Sequence, residues 1–386
     1  MIPQNLIHKL PKLQTPLYFY DMELLQQTLD SAAKASRHFG YHIHYALKAN
    51  FNVKILESIS ATGMGADCVS GNEIIKALQS GFHPGKIVFA GVGKSDEEIR
   101  LALEKDIFAF NCESLQEIEV VNEIAASLGK KARIFLRLNP DIEAHTHKNI
   151  TTGTAETKFG ISPLETELYL KQQEHFNHTE LIGLHFHIGS QICDFDVFRE
   201  LSLKVNEIQD HFEANGIQIQ HLNMGGGLGI DYKNPTQNTI PDFKGYFETF
   251  HQHLKLRPGQ QVHFELGRAL VAQCGVLLSR VLYIKSGEHN RFAIIDASMT
   301  DLLRPALYEA YHKIENLNNN GNTDAVFDVA GPVCESSDVF ARNIPLGKTV
   351  RGDILAIYST GAYGQVMSSA YNLRSPARTL YSDEME

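Results

Sequence analysis

The chain has 386 residues, of which 43% are hydrophobic and 21% are charged, and this apolar content excludes a disordered chain. Its 35 Lys and Arg residues against 45 Asp and Glu residues give a net charge of −10, which argues against a nucleic-acid-binding protein because such proteins usually present a basic face. No apolar run approaches the roughly 18 residues of a membrane span. We expect no secretory signal either, because the N-terminus lacks a long apolar core.

The cysteines are scattered along the chain and form no CxxC pair. A disulfide framework or a zinc knuckle is therefore not expected, and reduced thiols in the cytoplasm fit the pattern better.

Short β-rich runs alternate with amphipathic helical stretches over the first 268 residues. A helix is expected over 22–38, and helical patterns recur over 71–80, 96–104 and 114–128, where apolar residues are three and four positions apart. Ser95 and Glu98 have the capping-box spacing of a helix start. The predicted strands are 42–47, 65–69, 87–90, 107–111, 133–139, 181–188, 222–225 and 262–266.

Eight βα units indicate a (β/α)8 TIM-like barrel over residues 22–268. A doubly wound sheet is the alternative. After Arg268 the β-rich runs 271–284, 292–296, 325–329 and 353–358 predict a second, mostly β domain. We expect this domain to comprise 1–21 and 269–386, because the strand-like run 15–21 suits pairing with it. The long polar loop 141–160 is typical of a functional loop.

Lys48 lies in an apolar run at the end of the first predicted strand. Such a lysine is either a snorkelling side chain or a nucleophilic amine that forms a Schiff base. The run Met224-Gly-Gly-Gly-Leu-Gly229 follows the seventh strand, and it is either a tight turn or a backbone cradle for a phosphate.

Glu265 and Arg268 follow the eighth strand. The carboxylate suits a protonated ring nitrogen and the guanidinium suits a carboxylate or phosphate, although an ordinary ion pair explains both. His185 and His187 lie on one face of the sixth strand, which is compatible with a metal or with stacking of one imidazole on a flat cofactor. Cys334 beside Glu335 is either a proton donor with a ligand-binding neighbour or a small buried thiol.

Eight motifs occur together in one order: YALKAN, GADCVSGNE, HIGSQ, GGGLG, ELGR, RPALYEAYH, GPVCESSD and GAYG. In the content and order of these motifs, the chain resembles the fold-type III, alanine racemase-like pyridoxal-phosphate decarboxylases. The resemblance extends from about residue 15 to residue 372 of this chain. One departure is Leu266, where the family commonly has proline. The resemblance implies a barrel with a C-terminal β domain, in a homodimer with active sites at the interface.

The resemblance also implies roles for individual residues. Lys48 is implied to hold pyridoxal 5′-phosphate covalently, and Cys334 to be the proton donor. The other implied cofactor-binding residues are Asp67, His187, Ser190, Gly227, Glu265, Gly267, Arg268 and Tyr363. The implied substrate-binding residues are Arg268, Arg304, Tyr308, Glu335 and Tyr363, with Cys334 and Glu335 contributed by the partner subunit.

The implied reaction is the decarboxylation of meso-2,6-diaminopimelate to L-lysine and CO2, the last step of lysine biosynthesis. Two arginines suit the carboxylate at the far end of that substrate. The alternatives are a decarboxylase of ornithine, arginine, D-lysine or carboxynorspermidine, a non-catalytic cofactor carrier, an inactive regulatory homologue and a metal hydrolase. We expect no metal, no nucleic acid and no membrane among the partners.

Overall fold

The computed structural model describes residues 12–142, 158–318 and 325–385. The chain divides into two compact units. We call Leu29–Gly229 with Asp242–Gly267 the barrel unit, and Met1–Thr28, Ile230–Pro241 and Arg268–Glu386 the sheet unit. The domain boundaries inferred above from the sequence stay a prediction.

The barrel unit contains a closed barrel of eight strands, β2 to β9, each parallel to its neighbours. The strands are β2 His42–Ala46, β3 Gly65–Cys68, β4 Ile87–Phe89, β5 Ala109–Cys112, β6 Ala132–Arg137, β7 Thr179–His185, β8 His221–Asn223 and β9 Gln261–Leu266. The predicted (β/α)8 barrel is therefore confirmed, and the doubly wound alternative is wrong because β9 pairs with β2 and closes the sheet.

Most helices around the barrel begin at a serine or aspartate side chain that caps their first turn, although those that begin at Val53 and Asp196 have no side-chain cap. They are α1 Met22–Phe39, α2 Val53–Ala61, α3 Gly71–Gln79, α4 Asp96–Glu104, α5 Leu115–Ser127, α6 Pro163–Gln172, α7 Asp196–Ala214 and α8 Phe243–His253. The capping box predicted for Ser95 and Glu98 is confirmed at the start of α4. A second one, formed by Ser162 and Glu165, begins α6.

The sheet unit is built on an eight-stranded sheet, in which the strands 275–286, 291–295, 326–330 and 354–357 correspond to the four predicted runs. Its strands are β1 Leu17–Tyr20, β10 Gly275–Ser286, β11 Arg291–Ile295, β12 Ile314–Asn316, β13 Val326–Ala330, β14 Val339–Pro345, β15 Ile354–Ile357 and β16 Arg378–Tyr381. The sheet unit also has two short helices. Helix α9, Arg268–Val271, comes before β10, and helix α10, Arg304–Tyr308, comes between β11 and β12. As expected, β1 belongs here, since it pairs with β10 and β16.

Sequence patterns missed β12, β14 and β16. Strand β12 has only three residues, and β14 contains Arg342 and Asn343, so neither shows an apolar run. The predicted functional loop, 141–160, lies outside the described residues except for positions 141, 142 and 158–160. Among the described helices, none combines the length and apolarity that crossing a bilayer requires.

Three histidines form a hydrogen-bonded row near the amino ends of the barrel strands. His44 Nε2 lies 3.0 Å from His263 Nδ1, and His263 Nε2 lies 3.0 Å from His221 Nδ1. Phe108 and Phe135 pack against the row. Burial lowers the pKa of His44 and of His221 to about 4, so the row is uncharged at neutral pH.

We expect the free energy of unfolding to fall as the pH is lowered from about 6.5 toward 4. In the unfolded chain His44 and His221 bind protons with a pKa of about 6.5, whereas in the folded protein their pKa is about 4. Protons therefore bind to the unfolded state first and favour it. Above that range both states are unprotonated and the contribution is fully present. Urea denaturation between pH 7.5 and 4.5 measures the slope.

The variant His221→Gln should reduce that slope by up to about 1.4 kcal/mol per pH unit, because it removes one half-buried group whose pKa is lowered in the folded protein. The control His175→Gln removes an exposed histidine and should change the slope less. Equal slopes for the wild type and His221→Gln would contradict the prediction.

Candidate active site

The carboxyl ends of the barrel strands bring polar side chains together. Lys48 follows β2 in a short 3-10 turn, Leu47–Ala49, and the other side chains come from β3, β5, β7, β8 and β9. They are Asp67, Asn111, His185, Asn223 and Glu265, and all five are buried. This arrangement is the one expected for a barrel enzyme, whose chemistry lies at that end.

Glu265 is the centre of this group. Its Oε1 accepts hydrogen bonds from Asn111 Nδ2 at 2.8 Å and Asn223 Nδ2 at 2.7 Å, and its Oε2 lies 2.9 Å from His185 Nε2. A carboxylate oxygen has two acceptor positions. Oε2 therefore has room for one further N–H donor beyond those of the described residues.

The charge on Glu265 is retained although the side chain is buried. Burial acts to raise the pKa of Glu265, but His185, Lys48 and His187 outweigh it and hold the pKa well below its usual range. A buried ionised carboxylate with one open acceptor position is suited to a protonated, planar nitrogen base.

Lys48 is not buried in the apolar run that surrounds it in the sequence. Its side chain is 39% exposed, and Nζ lies 3.3 Å from Oδ2 of the fully buried Asp67. Burial, together with the charge of Glu265, raises the pKa of Asp67 to about 6. Asp67 thus holds the Lys48 amine at the strand ends, and its second oxygen has no hydrogen-bond partner among the described residues.

His187 and the glycine run lie together beyond β7 and β8. The N–H of Gly226 donates to His187 Nδ1 at 3.2 Å, so the ring proton of the neutral imidazole is on Nε2. Burial and Arg137 lower the pKa of His187 well below its ordinary value. The half-buried Ser190 follows on the same loop.

The glycines of this run are needed for close approach. A side chain on Gly226 would overlap the backbone oxygen of Glu265, and one on Gly225 would overlap the backbone oxygen of Phe186. Gly225 and Gly227 also have positive φ, +68° and +108°. Such a backbone presents N–H groups to an anion. Gly267, another predicted residue, is buried directly after β9.

In the sheet unit, two buried arginines lie among tyrosine rings. Arg268 Nη1 donates to Tyr232 Oη at 2.6 Å, and its guanidinium lies 4.9 Å from the centre of the Tyr363 ring. The Arg304 guanidinium lies 5.4 Å from the centre of the Tyr232 ring, and its Nε donates to His312 Nε2 at 3.2 Å. Each arginine is 6% exposed.

The positive charges of Arg268 and Arg304 affect each other. Burial lowers the pKa of Arg304, and the positive charge of Arg268 adds to that effect. Among the described residues, Arg304 makes no ion pair with a carboxylate. The predicted residue Tyr308 is half-buried and lies four residues after Arg304 on α10. A pair of buried guanidiniums is suited to a small carboxylate or phosphate.

Cys334 and Glu335 lie on the turn between β13 and β14, and both are exposed. The predicted alternative of a small buried thiol is therefore wrong. Asp338 braces the turn, because its Oδ2 accepts from the Val333 N–H at 2.8 Å and its Oδ1 from the Met299 N–H at 2.6 Å.

The barrel unit thus contains seven of the predicted residues, namely Lys48, Asp67, His187, Ser190, Gly227, Glu265 and Gly267. The sheet unit contains the other six, namely Arg268, Arg304, Tyr308, Cys334, Glu335 and Tyr363. Sequence reasoning missed Asn111, Asn223, Tyr232 and His312. Asn111 and Asn223 each lie at a strand end, which was an available signal, whereas nothing local marks Tyr232.

The histidine pair 185 and 187 is not arranged as metal ligands, and no group of three or more His, Cys, Asp or Glu side chains suited to a metal occurs among the described residues.

The comparisons with known proteins agree with this chemistry. A family described as "Pyridoxal-dependent decarboxylase, pyridoxal binding domain" matches residues 25–272. The diaminopimelate decarboxylase of Bacteroides thetaiotaomicron is 53% identical over 380 residues, covering 98% of this chain and 98% of that protein.

Two solved structures are similar over nearly the whole chain. Diaminopimelate decarboxylase from Helicobacter pylori, complexed with L-lysine, is 40% identical with a TM-score of 0.89 and covers 96% of this chain and 92% of its own. Diaminopimelate decarboxylase from M. jannaschii, in complex with L-lysine, is 36% identical with a TM-score of 0.89 and covers 98% and 89%.

Proposed function

Because the chain belongs to the family of pyridoxal-dependent decarboxylases, we propose that it converts meso-2,6-diaminopimelate to L-lysine and CO2, the last step of lysine biosynthesis. The observation that carries the choice of substrate is the pair of buried arginines, Arg268 and Arg304. Diaminopimelate has a second carboxylate at its far end. Ornithine and lysine lack it, so they would leave buried cationic donors without an anion.

The barrel unit fits pyridoxal phosphate, the cofactor of this family. The open acceptor position of Glu265 Oε2 suits the N–H of a pyridinium ring. The Lys48 amine suits the cofactor aldehyde, and His187 and Asp67 adjoin them. Ser190, Gly227, Gly267 and the backbone at Arg268 are the residues we assign to the phosphate.

When bound, pyridoxal phosphate supplies an electron sink for the electron pair that departing CO2 leaves on the substrate carbon. Glu265 stays ionised because His185, Asn111 and Asn223 donate to it, and its charge holds a proton on the ring nitrogen. The thiol of Cys334 delivers a proton to the substrate carbon, so that one C–H bond replaces the C–C bond to CO2.

The other end of the substrate sets specificity. We assign Arg268 and Arg304 to the distal carboxylate, with Tyr308 and Tyr363 beside it, and Glu335 to the distal ammonium. Arg268 keeps its direction through Tyr232, and Arg304 keeps its direction through His312, whose Nδ1 lies 2.8 Å from the Tyr358 carbonyl oxygen. These supports make the arginines rigid anchors rather than mobile surface charges.

We assign the enzyme to a homodimer in which Cys334 and Glu335 of each subunit serve the partner's active site. The exposure of both side chains supports this assignment. A cytoplasmic location is supported by the cysteines, all five of which are free thiols.

The direct test is to load the purified protein with pyridoxal phosphate and to measure lysine formed from meso-diaminopimelate. Ornithine, arginine, D-lysine and carboxynorspermidine are assayed in parallel, with Lys48→Ala as the inactive control. We expect product from diaminopimelate alone. Product from another substrate only would keep the cofactor assignment and refute the proposed substrate, and no product from any of them would favour a carrier or regulatory protein.

Replacing Arg304 with Met should raise the KM for diaminopimelate about 100-fold, because a charged, bidentate contact with the distal carboxylate is lost. The matched control is Arg351→Met, which removes an exposed arginine that packs over Tyr283. An unchanged KM in Arg304→Met would refute the role assigned to Arg304.

Mixing inactive Lys48→Ala subunits with inactive Cys334→Ala subunits tests the shared active site. If each site takes Lys48 from one subunit and Cys334 from the other, random exchange restores about a quarter of the wild-type activity, since half of the dimers have one intact site. Subunits that exchange, as followed by a mass tag, without any regain of activity would contradict the assignment.

A further inference from the structure

The turn that carries Cys334 and Glu335 has a second support besides Asp338. Tyr371 Oη donates a hydrogen bond to Glu335 Oε1 at 2.6 Å. The next residue, Asn372, accepts the backbone N–H of Cys334 on its Oδ1 at 3.2 Å. Two successive side chains of one segment therefore contact two successive residues of the turn.

The backbone of that segment is held in an unusual conformation. Asn372 and Leu373 have φ of +55° and +53°, in the left-handed region that asparagine tolerates but leucine rarely adopts. Leu373 is 95% exposed, so packing of its own side chain does not explain the conformation. Strained backbone that persists at a surface is a feature of functional sites.

The two contacts act on different atoms of the turn. The Tyr371 hydroxyl engages one oxygen of Glu335 and leaves Oε2 for a cationic ligand. The Asn372 contact is to the main chain of Cys334, so it fixes the origin of the thiol side chain without engaging the sulfur. Orientation of the carboxylate and orientation of the thiol are thus separable.

We propose that Tyr371 and Asn372 are positioning residues for the reaction, Tyr371 orienting Glu335 toward the distal ammonium of the substrate and Asn372 orienting Cys334 toward the carbon that it protonates. This rests on the proposed function, since it assigns those roles to Glu335 and Cys334. Neither Tyr371 nor Asn372 is expected to exchange a proton with the substrate. Tyr371 therefore controls substrate selection, and Asn372 controls turnover.

For Tyr371 the test is Tyr371→Phe in the cofactor-loaded enzyme. KM for meso-diaminopimelate should rise about tenfold, the loss expected for a hydrogen bond that orients a charged group, while kcat stays within about twofold. With 2-aminopimelate, which lacks the distal amine, KM should change less than about twofold. An equal rise in KM for both substrates would overturn the proposal, because a merely structural role affects both.

A double-mutant cycle sharpens this test. In a Glu335→Gln background, Tyr371→Phe should cause no further rise in KM, because the interaction that it removes is already lost. A second, fully additive rise would show that Tyr371 acts independently of Glu335 and would overturn its role.

For Asn372 two substitutions separate the side-chain oxygen from the backbone conformation. Asn372→Asp keeps an acceptor oxygen and should retain kcat, whereas Asn372→Gly tolerates the positive φ but removes the acceptor and should lower kcat about fivefold with KM unchanged. Equal kcat values in the two variants would refute the role of Asn372.

Leu373→Gly is the matched control, because it relieves the left-handed strain and leaves both hydrogen bonds in place. Its kcat and KM should equal those of the wild type, and a change as large as that in Tyr371→Phe would overturn the proposal. Failure of the proposed function itself is distinguishable, since the wild-type protein would then release no lysine from diaminopimelate.

Discussion

The ionised carboxylate of Glu265, buried near the mouth of the barrel, is the constraint on which the rest of the barrel site depends. A buried charge is costly unless donors compensate it, and here Asn111, Asn223 and His185 do so from three different strands. Those donors hold the carboxylate in one orientation with an acceptor position open. The closed barrel makes this possible, because the strand ends converge only when β9 pairs with β2.

The sheet unit uses the opposite charge in a comparable way. Arg268 and Arg304 are buried among tyrosines, and their directions are set by Tyr232 and His312. An anion from outside the chain is the natural partner for such a pair. One unit therefore has a buried anion suited to a cationic ring, and the other has buried cations suited to an anionic group.

Local patterns predicted most of the fold. All eight barrel strands and the start of α4 at Ser95 were predictable from apolar runs, turn signals and the capping-box spacing, and the family that the motifs indicated is confirmed. Strands β12, β14 and β16 were not predictable, because they are short or polar and are stabilised by neighbours distant in the sequence. The barrel's closure was an inference from the number of βα units, and only strand pairing decided it.

The sequence by itself determined which chemistries are available: an amine at Lys48, a carboxylate at Glu265, a thiol at Cys334 and guanidiniums at Arg268 and Arg304. It determined these because residue types and motif order are local properties of the chain. Only the tertiary structure decided their states. Glu265 bonds to Asn111 and Asn223, which are 154 and 42 residues away in the sequence, and Glu335 bonds to Tyr371, which is 36 residues away. Burial and hydrogen bonding set the charge and orientation of a side chain, and both arise only when distant segments pack together.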